Sequence, residues 1–158
     1  MVTAHIDVSR ALKKLRNAGM NAKRAYKKAL WESTQLVRNE VKFSIAGMRS
    51  EPRSVQFGGF LNTVSYEISP TKAIVYSPLE YAKFLEYGTS PHFVSPKAGG
   101  VLSWTEGPHG GGKRYFSKGH MVSGISPRRH FRNSARRAKP KVIRIFDKLI
   151  RTNVRKAR

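Results

Sequence analysis

The sequence predicts an α+β fold: a small antiparallel β-sheet packed by a long N-terminal helix and a C-terminal helix, with a long glycine-rich loop between them. Three observations predict it. Apolar residues recur at helical spacing across residues 21–47, the spacing changes to that of strands between residues 60 and 76, and helical spacing returns after residue 126. With 158 residues, 39% of them hydrophobic and 10% aromatic, the chain has material for one core. The expected layout is a single domain over residues 1–158, with an arm (1–19), a core (20–152) containing the loop 89–119, and a basic tail (153–158).

Residues 7–18 are expected to form a short helix, capped by Asp7 or Ser9, with Val8, Leu12 and Leu15 on one side and Gly19 at its end. The stronger helix follows Asn21. Tyr26, Leu30, Thr34, Val37, Val41 and Ile45 are spaced by four, four, three, four and four residues, and the pattern stops near Gly47. Pro52 and Gly58-Gly59 mark a loop. From residue 60 to 68 the alternation puts Phe60, Val64, Tyr66 and Ile68 on one strand face, which is expected to pack against the long helix. Ser69-Pro70-Thr71 then turns the chain into a second strand at residues 72–76, making a hairpin.

Ser77-Pro78-Leu79-Glu80 combines a cap, a proline and an early acid, so a short helix should carry Tyr81, Phe84 and Leu85 and end at Tyr87-Gly88. Residues 89–119 hold seven Gly and three Pro and predict a long excursion with brief strands at 101–104 and 114–117. A further strand is expected over 120–125. Ser126-Pro127 should open a helix that Pro140 divides from a second helical stretch bearing Val142, Ile143, Phe146, Leu149 and Ile150.

Lys and Arg total 31 against 9 Asp and Glu, a formal charge of +22. Residues 1–50 carry +8, residues 51–112 carry −1 and residues 113–158 carry +15. Such basic ends need an acidic partner, because +15 within 46 residues repels itself. Arg128, Arg129, Arg132, Arg136 and Arg137 put five guanidinium groups into ten residues, a group suited to phosphate or carboxylate. No helix-turn-helix, zinc-finger or ribonucleoprotein motif accompanies them, so base reading is not indicated.

The chemistry available to the chain is narrow. Without Cys there is no disulfide, thiolate metal site or Cys nucleophile. His92, His109, His120 and His130 are too scattered for a helical ligand pair, and Glu80 and Glu86 point apart on a helix. Residues 107–113 fit the first seven positions of a phosphate-binding loop, but Arg114 stands where Ser or Thr must bind Mg²⁺. The expectation is no catalytic residue, no metal and no cofactor. No apolar run approaches the roughly 20 residues that span a bilayer, so a soluble chain, cytosolic where it is made, is expected.

The order of features carries a resemblance. Tyr81-Ala82-Lys83-Phe84-Leu85-Glu86-Tyr87-Gly88-Thr89 is followed by His92-Phe93-Val94-Ser95-Pro96-Lys97, by Val101-Leu102-Ser103-Trp104, and by Ser126-Pro127-Arg128-Arg129-His130-Phe131-Arg132-Asn133-Ser134-Ala135. Over roughly residues 20–150 this resembles the neck or tail-completion proteins of tailed bacteriophages. The resemblance implies a structural virion protein, made in the host cytoplasm, that forms a homo-oligomeric ring, a hexamer or dodecamer, between the connector or adaptor and the tail-tube or tail-terminator proteins. DNA would pass through it, with non-specific contact to the duplex and no membrane. On that resemblance the subunit or neck-partner interface would use Tyr81, Phe84, Glu86, Tyr87, Gly88, Thr89, His92, Trp104 and Phe131. Contact with DNA or an acidic partner would use Lys113, Arg114, Arg128, Arg129, Arg132, Arg136 and Arg137. The alternative from size and charge alone is a structural nucleic-acid-binding protein of ribosomal or nucleoid type.

Overall fold

The computed structural model describes residues 1–7, 20–54, 59–105 and 112–155. The elements are β1 (Val2–Asp7), α1 (Met20–Ile45), α2 (Gly59–Asn62), β2 (Ser65–Ile68), β3 (Lys72–Ser77), α3 (Glu80–Tyr87), β4 (His92–Val94), a 3₁₀ turn (Lys97–Gly99), β5 (Leu102–Thr105), β6 (Arg114–Ser117), β7 (His120–Val122) and α4 (His130–Arg155). The chain divides into two compact units, one made of residues 1–87 and 127–158, the other of residues 88–126. The α+β class and the antiparallel hairpin are as the sequence predicts.

In the first unit the sheet order is β1-β3-β2, antiparallel throughout. Its buried face is built from alternate residues, Val2 and Ala4 of β1 with Ala73, Val75 and Ser77 of β3. Against it lie α1 and α4, which run antiparallel to each other: Ser44 meets His130 at one end and Tyr26 meets Phe146 at the other. The six-residue stripe of α1 from Tyr26 to Ile45 is buried, as its spacing requires.

Residues 2–7, assigned to an arm, instead form a core strand. Val2, Ala4 and Ile6 stand across from Ser77, Val75 and Ala73, an alternation with Thr3, His5 and Asp7 that is itself a strand signal. Asp7 ends this strand; residues 8–19, where the rest of the expected short helix falls, lie outside the described residues. Phe60 and Leu61 also depart from the strand reading. They sit in the single turn of α2, which Thr63 closes by donating from its N–H to the Gly59 carbonyl (3.2 Å) and from its hydroxyl to that of Phe60 (3.0 Å).

Tyr66 and Ile68 share the helix-facing side with Val75 and Ala73, their register partners. They belong to the edge strand, however, and remain 38% and 41% exposed. Arg38 of α1 lies over the Tyr66 ring at 5.5 Å and donates to the Val64 carbonyl. The expected packing of the hairpin face on α1 therefore holds for Val64 and fades outward.

Pro140 does not divide the last helix, which runs unbroken from His130 to Arg155. An interior proline costs about 3 kcal/mol in lost hydrogen bonding and steric conflict. Both halves are held to the same core, by Phe131 and Ala138 before it and by Val142, Ile145, Phe146 and Leu149 after it, while Pro140 itself faces solvent. Burial on both sides outweighs the local penalty.

The second unit is the glycine-rich excursion. Among its described residues it is two short antiparallel pairs, β4 with β7 and β5 with β6, so the β5-β6 hairpin is nested inside the β4-β7 pair. Thr89 and Ile125 close its base with reciprocal backbone hydrogen bonds of 2.9 and 3.2 Å. Gly124, at φ +81°, is required there, because a Cβ would collide with the Thr89 carbonyl.

Candidate functional site

Parts of two of the four segments that carry the resemblance, residues 81–87 and 127–135, meet in the first unit, at the start of α4. Helix initiation leaves backbone N–H groups without intrahelical partners. Here they are met by Glu86, a side chain 45 residues earlier: its Oε2 accepts from Phe131 N at 2.9 Å and its Oε1 from Arg132 N at 2.8 Å. The carboxylate is buried and sits at the positive end of the helix dipole. Beside it Arg128 N donates to the Leu85 carbonyl at 2.7 Å, and the Arg132 guanidinium lies over the Tyr87 ring at 5.6 Å. The helix thus begins at His130, after Arg129 at φ +56°, and not at Pro127. Its first N–H groups are capped from α3.

At the first residue of the helix, the imidazole of His130 is buried between two hydroxyls, with Nδ1 2.8 Å from Ser44 Oγ and Nε2 2.6 Å from Ser54 Oγ. Arg128 Nη1 donates both to Ser54 Oγ (2.6 Å) and to the Arg53 carbonyl (2.7 Å). Burial pushes the imidazole down to about 4. A neutral ring with one donor and one acceptor fits between two serines, and it is too weak a base to take a hydroxyl proton near neutral pH. The set ties α1, the 47–54 segment and α4 together.

Two more buried carboxylates extend this junction. Glu40 receives a bidentate pair from Arg49 (3.0 and 2.9 Å), with Lys141 Nζ at 3.5 Å and Arg137 Nε at 3.7 Å. The Arg49 hydrogen bonds hold its carboxyl below the usual range against the opposing effect of burial. Glu51 accepts from Arg137 Nη1 at 2.5 Å. Burial raises its pKa, but the hydrogen bonds from Arg137, the backbone, Asn133 and Ser44 together outweigh this and hold it at about 2.

Several expected contact residues therefore have internal partners. Glu86 and Phe131 are buried, the first as a cap and the second as core, so neither side chain can meet another subunit directly. Arg137 is committed to Glu51 and Arg128 to Ser54 and the backbone, whereas Arg129, Arg132 and Arg136 remain exposed. Tyr81, Phe84 and Tyr87 form an exposed aromatic group on α3.

In the second unit His92 is exposed, with Nδ1 3.1 Å from the Ser90 carbonyl, and Thr89 is in the closing bridge. Trp104 stacks on Tyr115 at 5.8 Å and meets His120 at 4.9 Å. Lys113 and Arg114 are exposed and lie over Tyr115 and Phe116. Arg114 opens strand β6, which removes the helix a phosphate-binding loop needs, and residues 107–111 of that motif lie outside the described residues. No residue whose burial is described in 88–126 is buried, and Phe93, Phe116 and Met121 are 61%, 65% and 63% exposed.

Sequence reasoning missed Glu40, Glu51, Ser44 and Ser54. Glu40 was legible in part, since it falls on the buried side of α1 beside Val41; the positions of Glu51 and Ser54 depend on a loop without periodicity. Among the described residues no three His, Asp or Glu side chains gather as a metal site would, and no helix is long and apolar enough to cross a membrane. No family model, curated protein or solved structure matches the chain.

Proposed function

We propose that this chain is a non-enzymatic structural subunit of the head–tail connection of a tailed bacteriophage, assembling with its own copies into a ring that joins the connector to the tail and leaves a passage for DNA. The observation that carries the reading is the Glu86 cap. Two of the four segments of the resemblance, the one that holds Glu86 and the one that runs from Ser126 to Ala135, are joined through Glu86, Phe131 and Arg132. Their order in the sequence thus has a structural reason.

The second unit supports assembly. Two-stranded pairs are marginal in water by themselves, and this unit exposes Phe93, Phe116 and Met121 with no buried residue among those described. Such apolar surface is what a neighbouring subunit would cover. The exposed aromatic group on α3 is a second surface of this kind, and two unlike patches suit the head-to-tail contacts from which rings close.

Deleting the gene from the phage that encodes it tests the reading. Filled heads and separate tails should accumulate unjoined, and supplying the protein in trans should restore joined particles. Normal particles from the deletion would refute the proposal.

A further inference from the structure

The helix pair has a second end, away from the Glu86 junction, and its charge is uncompensated. The Tyr26–Phe146 contact, with ring centroids 5.9 Å apart, brings the first turns of α1 beside the last turns of α4. Within residues 23–28 and 144–151, every described side chain that is fully exposed is charged, and Asp147 is the one acid among them. Lys28 pairs with Glu32 at 3.9 Å. Lys23, Arg24 and Lys27 on α1 and Arg144, Lys148 and Arg151 on α4 have no ion pair among the described residues.

Elsewhere the protein does neutralise its cations: Glu40 and Glu51 take up Arg49, Arg137 and Lys141 at the opposite end. With those carboxylates buried at the other end, the far end of the helix pair keeps a net positive charge, with Asp147 and the Lys28-paired Glu32 as its acids.

We propose that this end of the helix pair, Lys23, Arg24 and Lys27 with Arg144, Lys148 and Arg151, is a binding surface for the phosphate backbone of duplex DNA. The Tyr26–Phe146 contact makes these two rows of cations neighbours on packed helices. Cations carried on two adjacent helices can meet phosphates of both strands of a duplex. Within the rows themselves no exposed aromatic or aliphatic side chain interrupts the cations; Trp31 and Ile143, 53% and 52% exposed, lie at their inner ends. Contact made by charge alone reads no sequence and permits sliding. This surface is distinct from the Arg128–Arg137 cluster, and the inference stands whether or not the chain belongs to a phage neck.

The test is binding of the full chain to a labelled duplex of about 30 base pairs by fluorescence anisotropy across a salt series. Affinity should fall steeply with salt and differ little between unrelated sequences. The variant Lys148→Gln/Arg151→Gln should flatten the slope of log K against log salt by about 2, since each phosphate contact contributes about 0.9. Lys72→Gln/Lys83→Gln, which removes the same charge from exposed positions elsewhere, should leave the slope unchanged. Arg24→Gln/Lys27→Gln provides the same reading from α1, and circular dichroism melts confirm that each variant is folded. Equal flattening by the control pair, salt-insensitive binding, or a loss confined to an acidic protein while duplex affinity stays at the wild-type level would overturn the proposal.

Discussion

Glu86 shows how far a residue's role can lie from its sequence position. The motif around it is visible in the sequence, and its acid reads naturally as an exposed contact on α3. Its acceptors instead serve Phe131 and Arg132, a pairing over 45 residues that no local periodicity encodes. Glu86→Ala would leave two helix N–H groups without acceptors and should cost about 2–3 kcal/mol in urea unfolding, whereas Glu86→Gln, which keeps one carbonyl acceptor, should cost about 1 kcal/mol.

His130 makes a prediction of different form. Its folded pKa of about 4 lies below the ordinary 6.5, so between those values the unfolded chain binds the extra proton and stability falls as pH is lowered. Glu51, held at about 2 against an ordinary 4.5, stabilises fully above pH 4.5, and that contribution is lost as pH falls towards 2. Melting temperature should therefore decline continuously from about pH 6.5 downwards. His130→Gln should remove the upper part of that decline, on the order of 2–3 kcal/mol. An unchanged profile in the variant would show that the decline comes from other groups.

Among the elements, α1 was legible throughout because a single stripe of six residues at helical spacing has one physical solution. Val41 lies in the middle of it and is fully buried. Val41→Asp should unfold the first unit, since an unpaired carboxylate in the core consumes most of a typical stability of about 5–15 kcal/mol; a thermal melt within a few degrees of wild type would contradict the packing. By contrast α4 was misread at Pro140 because propensity is local while the burial that overrides it is not. Pro140→Ala should raise stability by about 1–3 kcal/mol, measured by the urea midpoint at unchanged slope. β1 was missed although its alternation was present, because six residues are too few to outweigh the charged stretch that follows.

For the whole molecule, the long excursion was recognised from its glycines and prolines, and strands at 102–105 and 114–117 were close to expectation. What composition could not supply was the pairing of His92–Val94 with His120–Val122, which makes residues 88–126 a unit. Because this unit buries none of the side chains whose burial is described, replacing residues 90–124 with a short Gly-Ser linker should leave the melting of the first unit nearly intact while abolishing self-association, measured by light scattering.

The central claim is that copies of this chain close a ring at a head–tail junction, and an electron cryomicroscopy map of joined particles tests it most directly. The account predicts a ring of density at the junction into which the three-stranded sheet with α1 and α4 fits in every subunit, with each 88–126 unit lying against a neighbouring copy. A junction traced completely by other chains, or copies of this protein without contact between their 88–126 units and their neighbours, would contradict it.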